Sequence, residues 1–444
     1  MIKVRINAVE VARFCKPCIY LCQMQRFHGL IGIALILGIA FLFSNNRRKI
    51  NPRVIISGIL LQTLIGFLVF KVPLINKFFT FVGKGMEKIE GFAKQGANFV
   101  YGGIGAYDFS GQITDFKNPG TFVFAFNITA TIILVCVLVA VFYYLGIMQR
   151  IVEVIARVMN RIMRVSGAEA LSNVASAFVG QVEAQVMIRP YLATMTRSEL
   201  LASMSGSLAC IAGGILIVYA NMGMRAGLNI APQLIAASLM AAPGALVISK
   251  IVFPETEESQ TMGKVKLEVK SGYSNLIDAI SHGAADGFKI AMNVIAMLIG
   301  FIALIALLDW SLLKIGHLFN PSFDLSLNYI FAKIFYPFAW AMGIPSEDIN
   351  NAATLLGQKI TINEFVAFSS LTSHSVPILT PKGLTIVTVA ICGFANFSSV
   401  GMQIGGIGAL APERRTDLAK LGMKALLCGT LASYLSATIA GMLF

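Results

Sequence analysis

An all-α integral membrane protein is the fold class that this sequence predicts, and three observations predict it. Charged residues make up only 13% of the 444-residue chain, while 56% of it is hydrophobic. A soluble domain carries about 25% charged residues. Apolar stretches near the length of a spanning helix, about 20 residues, recur from one end of the chain to the other. The cations gather between those stretches, in alternate loops, as the cytoplasmic excess of Lys and Arg in membrane proteins requires. Net charge is +13, from 35 Lys+Arg against 22 Asp+Glu. No basic module interleaved with aromatics interrupts the apolar runs, so this charge argues for topology and against a nucleic acid partner.

Residues 1–26 read as an N-terminal extension. Lys3, Arg5, Glu10, Arg13 and Lys16 leave no clean apolar stretch for a signal peptide, and Met24 stands where a shorter chain would begin. Cys15, Cys18 and Cys22 form a CxxCxxxC cluster without a second CxxC or a His pair, a weak zinc signal. Cys136, Cys210, Cys392 and Cys428 lie inside apolar runs and read as small buried residues. Residues 27–118 hold the first two spans, Phe27 to Ser44 and Val54 to Phe70. An amphipathic surface helix and a Gly-rich loop follow over 71–118, with the whole unit acting as scaffold. Residues 119–165 hold the third span, within Asn118 to Gln149, and a cytoplasmic interfacial helix. Residues 166–309 hold a broken segment and the spans Leu200 to Met224, Ala226 to Ser249 and Ile290 to Leu308. Residues 310–444 hold an external segment, a second broken segment and the spans Gly383 to Pro412 and Ala425 to Phe444.

That makes eight spans. Basic clusters follow the first (Arg47, Arg48, Lys49, Arg53), third (Arg150, Arg157, Arg161, Arg164), fifth (Lys250, Lys264, Lys266, Lys270) and seventh (Arg414, Arg415, Lys420, Lys424). All four fall on one side, which places them in the cytoplasm and both termini outside.

The two broken segments are Ala168 to Tyr191, interrupted at Gly180-Gln181-Val182-Glu183, and Ile344 to Leu371, interrupted at Gly357-Gln358-Lys359 and Asn363-Glu364. Each reads as a re-entrant helical hairpin, because irregular backbone at membrane depth must line a cavity or be buried in protein. A span broken by small and polar residues follows each: Ser205 to Gly214 in the first half and Cys392 to Ser399 in the second. Paired interruptions in corresponding halves indicate an inverted repeat with a transport site near the midplane.

Glu183 and Glu364 are acids within apolar segments. Such groups either face a polar cavity and act there, or are structural and paired with Arg189 or Lys359. Gln181, Gln358, Asn363 and Asn396 present donors and acceptors together, suited to polyhydroxylated or base-bearing ligands, or else they satisfy freed backbone groups. Phe394 and Phe397 flank Asn396 and can stack on a ring or simply pack. His282 and Asp286 lie four apart on one helix face. A metal there lacks a third ligand, so an interfacial ion pair is the expectation. His28, His317 and His374 form no constellation. The chain has no HExxH, P-loop or GxSxG motif, which removes the machinery of an ATP-driven pump or a membrane hydrolase. No enzyme activity, cofactor or resident metal is expected.

Longer motifs then resemble one family. Gly180-Gln181-Val182-Glu183-Ala184, Ile188-Arg189-Pro190-Tyr191-Leu192, Met195 to Leu200, Asn363-Glu364-Phe365-Val366-Ala367, Cys392 to Ser399 and Gly405 to Arg415 are similar to the signatures of the concentrative nucleoside transporters. The resemblance covers Phe27 to Phe444. It implies an elevator-type, cation-coupled nucleoside importer, a homotrimer in a bacterial inner membrane. It implies that Gln181, Val182, Glu183 and Ile215 contact the base, and that Glu364, Asn396 and Ser399, with Phe394 nearby, hold the ribose. In sodium-coupled members the ion is held at positions corresponding to Ser176, Val179, Cys210 and Ile211. Here Ser176 replaces an Asn and Cys210 replaces a Ser. A thiol is a poor ligand for a hard cation, so a proton on Glu183 or Glu364 is the expected coupling ion, with sodium the alternative. Val182 replaces a hydroxyl residue beside the base, and Gln185 replaces a common Pro and returns a polar group near the tip. Rival readings are a carrier of the same fold for a nucleobase or a modified nucleoside, a membrane enzyme using the two carboxylates, and a channel.

Overall fold

The structure is a computed structural model, and it describes residues 28–73, 85, 88–89, 91–93, 95–97, 99–100, 124–262, 273–320, 324–373, 377 and 379–444. The N-terminal extension with its three cysteines, most of the surface segment 71–118, the cations Lys264, Lys266 and Lys270, and His374 lie outside the described residues. The described chain is helical, with no strand in it beyond one isolated bridge between Ser166 and Met262.

The first two apolar stretches form α1 (His28–Leu42) and α2 (Pro52–Lys71). Asn51 caps α2 by accepting from the Arg53 N–H, and Pro52 stands at its first position, where a missing N–H costs nothing. The third stretch is α3 (Phe124–Tyr144), which stops at Gly146 in a left-handed conformation. After a 75° bend comes α4 (Ile147–Met163). It buries Val152, Ala156, Met159 and Met163 and leaves Arg150 and Arg157 outside, the face pattern of an interfacial helix.

The first broken segment consists of α5 (Gly167–Ser176), α6 (Glu183–Met187) and a one-turn α7 (Arg189–Leu192). The fourth apolar stretch forms two helices, α8 (Arg197–Ala209) and α9 (Gly213–Arg225). The fifth is α10 (Ala231–Val252). The sixth is far longer than the stretch 290–308 suggested: α11 (Leu276–Phe319) has 44 residues, about 66 Å at 1.5 Å per residue. Polar residues such as Asp278, His282 and Asp286 fill its first turns, so hydropathy marks only its middle.

α12 (Leu327–Ala341) leads to the second broken segment, α13 (Ile349–Thr361) and α14 (Glu364–Thr372). The seventh apolar stretch again forms two helices, α15 (Pro381–Ile391) and α16 (Phe397–Leu410), before α17 (Arg415–Leu443). Among the described residues five helical stretches are long and apolar enough to cross a membrane, with α8 and α9 counted together as one, or six if the bent α3–α4 pair is one span. α1, α15 and α16 are shorter and apolar.

The core sits where α8, α10, α15 and α17 meet, with α2 packed on α10. Pro243 interrupts the hydrogen bonding of α10 from within. Gln62 of α2, fully buried, donates to the Met240 carbonyl at 2.9 Å and to Ser436 Oγ at 3.0 Å, which ties α2 to α10 and α17. On the other flank α3 packs along α11. A Cβ at Gly283 or Gly287 would lie 2.7–2.9 Å from α3 backbone atoms, so the Gly-x-x-x-Gly spacing lets the two helices touch. The opposite face of α11 exposes Ile299, Ile302, Leu307 and Trp310, as a lipid-facing or partner-facing surface must.

One expectation about charge is corrected here. Lys250, counted with a basic loop, is buried inside α10 and pairs with Glu169 of α5 at 2.8 Å and Glu255 at 3.2 Å, with Ser198 of α8 accepting at 2.9 Å. It fastens the broken segment to its neighbours instead of marking a solvated loop.

The two interrupted stretches meet at their breaks. The Phe394 N–H donates to the Cys210 carbonyl at 3.2 Å. Gly393 has φ +140°, and a Cβ there would collide with the Ala209 carbonyl oxygen. Gly393→Ala must push the breaks apart and strain the backbone. It is expected to lower the melting temperature of the purified protein by about 2 °C or more, as about 2 kcal/mol or more of damage would in a chain of this length. A thermal-shift series against Gly405→Ala, where a Cβ meets open space, checks this.

Candidate functional site

The four interruptions bring helix starts to one place. Glu183 opens α6, Glu364 opens α14, Ala212 caps α9 and Asn396 caps α16. All four line one cavity of about 200 Å³. Helix starts present unpaired N–H groups and a positive dipole end, which suits polar and anionic groups in an apolar setting.

Each polar side chain has a reason for its position. Asn396 Oδ1 accepts from the Ser399 N–H at 2.8 Å and from Ser398 Oγ at 2.9 Å, capping α16. With that oxygen committed, Asn396 Nδ2 donates to Glu364 Oε2 at 2.8 Å. Tyr219 Oη donates to Glu364 Oε1 at 3.2 Å. The Tyr219 ring is stacked on Phe368, centroids 4.3 Å apart, which holds the hydroxyl on the carboxylate. Asn363 Oδ1 caps α14 through the Val366 N–H at 2.9 Å. Glu364 is thus buried, held by two donors, and keeps unused lone pairs.

Across the cavity Gly180 has φ +128°, and a Cβ there would collide with the Glu183 carboxylate, so the tip folds back on its own acid. Glu183 is exposed to the cavity. Gln181 Oε1 accepts from Gln403 Nε2 at 3.5 Å, and Gln403 also donates to the Met204 carbonyl at 3.3 Å. Val182 rests against Gly406 of α16. A second cavity, about 580 Å³, adjoins the first. Its wall shares Ile132, Val179, Glu183, Ala212, Ile215 and Ile290 and continues to Tyr143, Arg189, Tyr273 and Asp286.

Gln181, Val182, Glu183, Ile215, Glu364, Phe394, Asn396 and Ser399, singled out from sequence, all line the first cavity. Of the ion candidates, Val179 lines both cavities. Ser176, Cys210 and Ile211 are buried behind the walls. Ser176 Oγ donates to the Ser172 carbonyl at 2.7 Å, and Cys210 Sγ lies 3.8 Å from the Asn173 carbonyl. Phe397 does not join Phe394: it is half exposed outside the cavity. Gln358 turns away and donates to Asn328 Oδ1 at 3.0 Å.

The structural pairings offered for the two acids are not formed. Lys359 is fully buried, and its Nζ has no hydrogen-bond partner among the described residues. Arg189 shares only the second cavity with Glu183, with no ion pair within 4.0 Å. His282 pairs with Asp278 at 3.4 Å, while Asp286 turns to Lys289 at 3.9 Å. Each finds the partner one turn away that the helix offers on the other side.

Sequence reading missed Tyr219, Met402 and Gln403. Helical spacing would have found them: Tyr219 lies four residues past Ile215, Met402 four past Ser398 and Gln403 four past Ser399.

Three family profiles match the chain: "Na+ dependent nucleoside transporter N-terminus" over residues 31–104, "Nucleoside recognition" over 125–226, and "Na+ dependent nucleoside transporter C-terminus" over 233–441. A Helicobacter pylori protein named nucleoside permease NupC is 37% identical over 418 residues, covering 93% of this chain and 97% of that one. The chain belongs to the Na+ dependent nucleoside transporter family. Other members include an uncharacterized transporter of Bacillus subtilis, YutK, 39% identical over 94% of this chain and 100% of its own. Rat sodium/nucleoside cotransporter 1 is 35% identical over 95% of this chain and 64% of its own. Among solved structures, CNTnw in an inward-facing substrate-bound state matches with a TM-score of 0.84 at 37% identity, covering 94% of this chain and 98% of that one. A substituted CNTnw in an outward-facing state matches with a TM-score of 0.87 at 37% identity, covering 95% and 98%. The fold of this family member is therefore a transporter fold.

Asn396 does two separable jobs. Asn396→Ser keeps a capping oxygen and loses the donor to Glu364, while Asn396→Ala loses both. Melting temperatures of the purified proteins are expected to fall in the order wild type, Ser, Ala. The Ala–Ser step should reflect a lost cap of about 1 kcal/mol.

Proposed function

We propose that the protein is a secondary active nucleoside importer that couples uptake to a cation gradient, with protons as the coupling ion. The observation that carries this reading is the single cavity in which two carboxylates, opening α6 and α14, face amides and hydroxyls from opposite halves of the chain. A ribose fits the Glu364 side: its hydroxyls can donate to the carboxylate lone pairs that Tyr219 and Asn396 leave free, next to Ser399. A base fits the Gln181 side, between Ile215, Val182 and Phe394, with Gln181 and Glu183 at its polar edge. Glu364 in this role discriminates against ligands without ribose hydroxyls, because a buried acid left unmatched costs binding energy. This favours nucleosides over free nucleobases.

In this reading eight spans and two re-entrant hairpins are arranged as an inverted repeat, and the cavity-bearing segments move as a unit against a scaffold that includes residues 27–118. Residues 119–165, 166–309 and 310–444 complete the segment order. Three copies assemble in a bacterial inner membrane. The second cavity, walled by the end of α3 and the start of α11 beside the basic side of the chain, serves as the inner path. The side chains at the candidate ion positions decide the choice of coupling ion in this reading. Ser176 Oγ already donates to a backbone carbonyl and shares a hydrogen bond with Ser207, and Cys210 offers sulfur where a hard ion wants oxygen. Glu183, exposed at the junction of the two cavities, is the group best placed to take up and release a proton.

Radiolabelled uridine and adenosine uptake into proteoliposomes tests the whole reading. An inward proton gradient without sodium is expected to drive accumulation, and a sodium gradient at constant pH is not. Glu364→Gln should raise the half-saturating concentration about 10- to 100-fold, the loss of a charged hydrogen-bond acceptor. Glu183→Gln should keep nucleoside exchange and lose gradient-driven accumulation. Uptake driven only by sodium would overturn proton coupling; no uptake under either gradient would overturn nucleoside import.

A further inference from the structure

Gln185 is fully buried on α6, two residues beyond Glu183 and four beyond Gln181. Both ends of its amide are used by α8. Ser203 Oγ donates to Gln185 Oε1 at 2.7 Å, and Gln185 Nε2 donates to Ser207 Oγ at 2.8 Å. Ser207 and Ser176 share a hydrogen bond of 2.8 Å, and Ser176 Oγ donates to the Ser172 carbonyl at 2.7 Å. The last bond settles the direction of the one before it. Ser176 spends its proton on a carbonyl, so Ser207 is the donor to Ser176. A one-way chain therefore runs Ser203, Gln185, Ser207, Ser176, Ser172 carbonyl. It joins α6, α8 and α5, and its side chains are buried to 1% exposure or less.

From this we infer that Gln185 is a positioning residue for the nucleoside site, holding the tip of the first broken segment on α8 with a neutral hydrogen-bond chain instead of a bound alkali cation. The inference rests on the proposed nucleoside site. α6 has only five residues, so the side chain that anchors it also sets where Gln181 and Glu183 stand. The rest of its buried surface, Ala184 and Met187, is apolar and non-directional. Each bond in the chain polarises the next, and in a dry interior losing the central amide strands the hydroxyls on both sides. A cation at Ser176 and Ser207 would have to displace hydrogen bonds that are already made. Substrate binding therefore has no requirement for sodium.

Equilibrium binding of radiolabelled uridine to the purified full-length protein tests this in sodium and in choline, at pH 5.5 and pH 8. Wild type is expected to bind equally, within about twofold, in the two salts. Gln185→Met keeps the volume and removes both hydrogen bonds; it should weaken binding about tenfold or more in protein that remains monodisperse. Gln185→Glu supplies the telling comparison. A protonated carboxyl offers one acceptor and one donor, as the amide does here, and a carboxylate offers no donor. Normalised to wild type, this variant should bind well at pH 5.5 and as poorly as Gln185→Met at pH 8. The charged groups of the packed elements are Glu183 on α6, Glu169 on α5, held by Lys250, and on α8 Glu199, held by the Thr196 N–H, and Arg197, paired with Asp417 at 3.1 Å. All of them are present in wild type, so the normalisation removes them. Wild-type affinity in Gln185→Met, or a Gln185→Glu ratio that does not change with pH, would overturn the positioning role. Sodium-dependent binding by wild type would overturn the cation-free closure. Absence of any uridine or adenosine binding by wild type would count against the nucleoside reading alone. Hydrogen exchange then decides the anchor: amides 181–187 should exchange at least about tenfold faster in Gln185→Met, and unchanged exchange would overturn it.

Discussion

Backbone polar groups inside an apolar solvent must find partners within the protein, and the interruptions at Cys210 to Ala212 and at Cys392 to Ala395 create several that have lost their helical ones. The structure meets this demand by setting the two breaks against each other. The Phe394 N–H takes the Cys210 carbonyl, Gly393 lets the chains approach, and the Gly213 N–H takes the Phe178 carbonyl from the first broken segment. The same arrangement leaves the starts of α9 and α16 facing one space. The broken segments then bring α6 and α14 to that space. The cavity is a consequence of how the backbone is satisfied, and its chemistry comes from the side chains standing at those helix starts.

Charge in this interior is handled in three different ways. Lys250 is matched by Glu169 and Glu255 and binds three elements together. Glu364 is not matched by an ion but by hydroxyl and amide donors, which leaves it free to accept more. Lys359 is buried with no hydrogen-bond partner among the described residues, on the helix that leads into Glu364. Removing a charge from water costs several kcal/mol unless something replaces the solvent. A matched pair meets that cost and gains rigidity. An acid held by neutral donors keeps part of its capacity for a ligand. The contrast between Lys250 and Glu364 separates a fastening from a site.

The chain also uses close approach where a larger side chain would hold elements apart. Gly283 and Gly287 bring α11 against α3, Gly406 receives Val182, and Gly393 lies on a carbonyl. These contacts set the walls of both cavities. They make the distance between the halves of the site depend on positions that carry no functional group.

Much of this was legible in the sequence alone. Charge depletion and apolar runs determine a helical membrane protein, because the bilayer admits few alternatives. The positions of Gln181, Glu183, Glu364 and Asn396 were legible because an acid or amide within an apolar run is costly and therefore informative. Periodicity also contained Tyr219, one turn beyond Ile215, although polarity alone did not reveal it. Tertiary structure decided the rest. Only the fold shows that Asn396 spends its oxygen on a cap and so must donate to Glu364, that Phe397 turns outward while Phe394 turns in, and that Lys250 is buried. It also decided that Ser176 is a link in a hydrogen-bond chain and that Glu364 pairs with Tyr219 and Asn396 instead of Lys359. The reason is physical. Burial, charge and helical period are properties of a segment and are written along it, whereas a hydrogen bond between residues 219 and 364 exists only when the packing of the whole chain brings a donor to an acceptor.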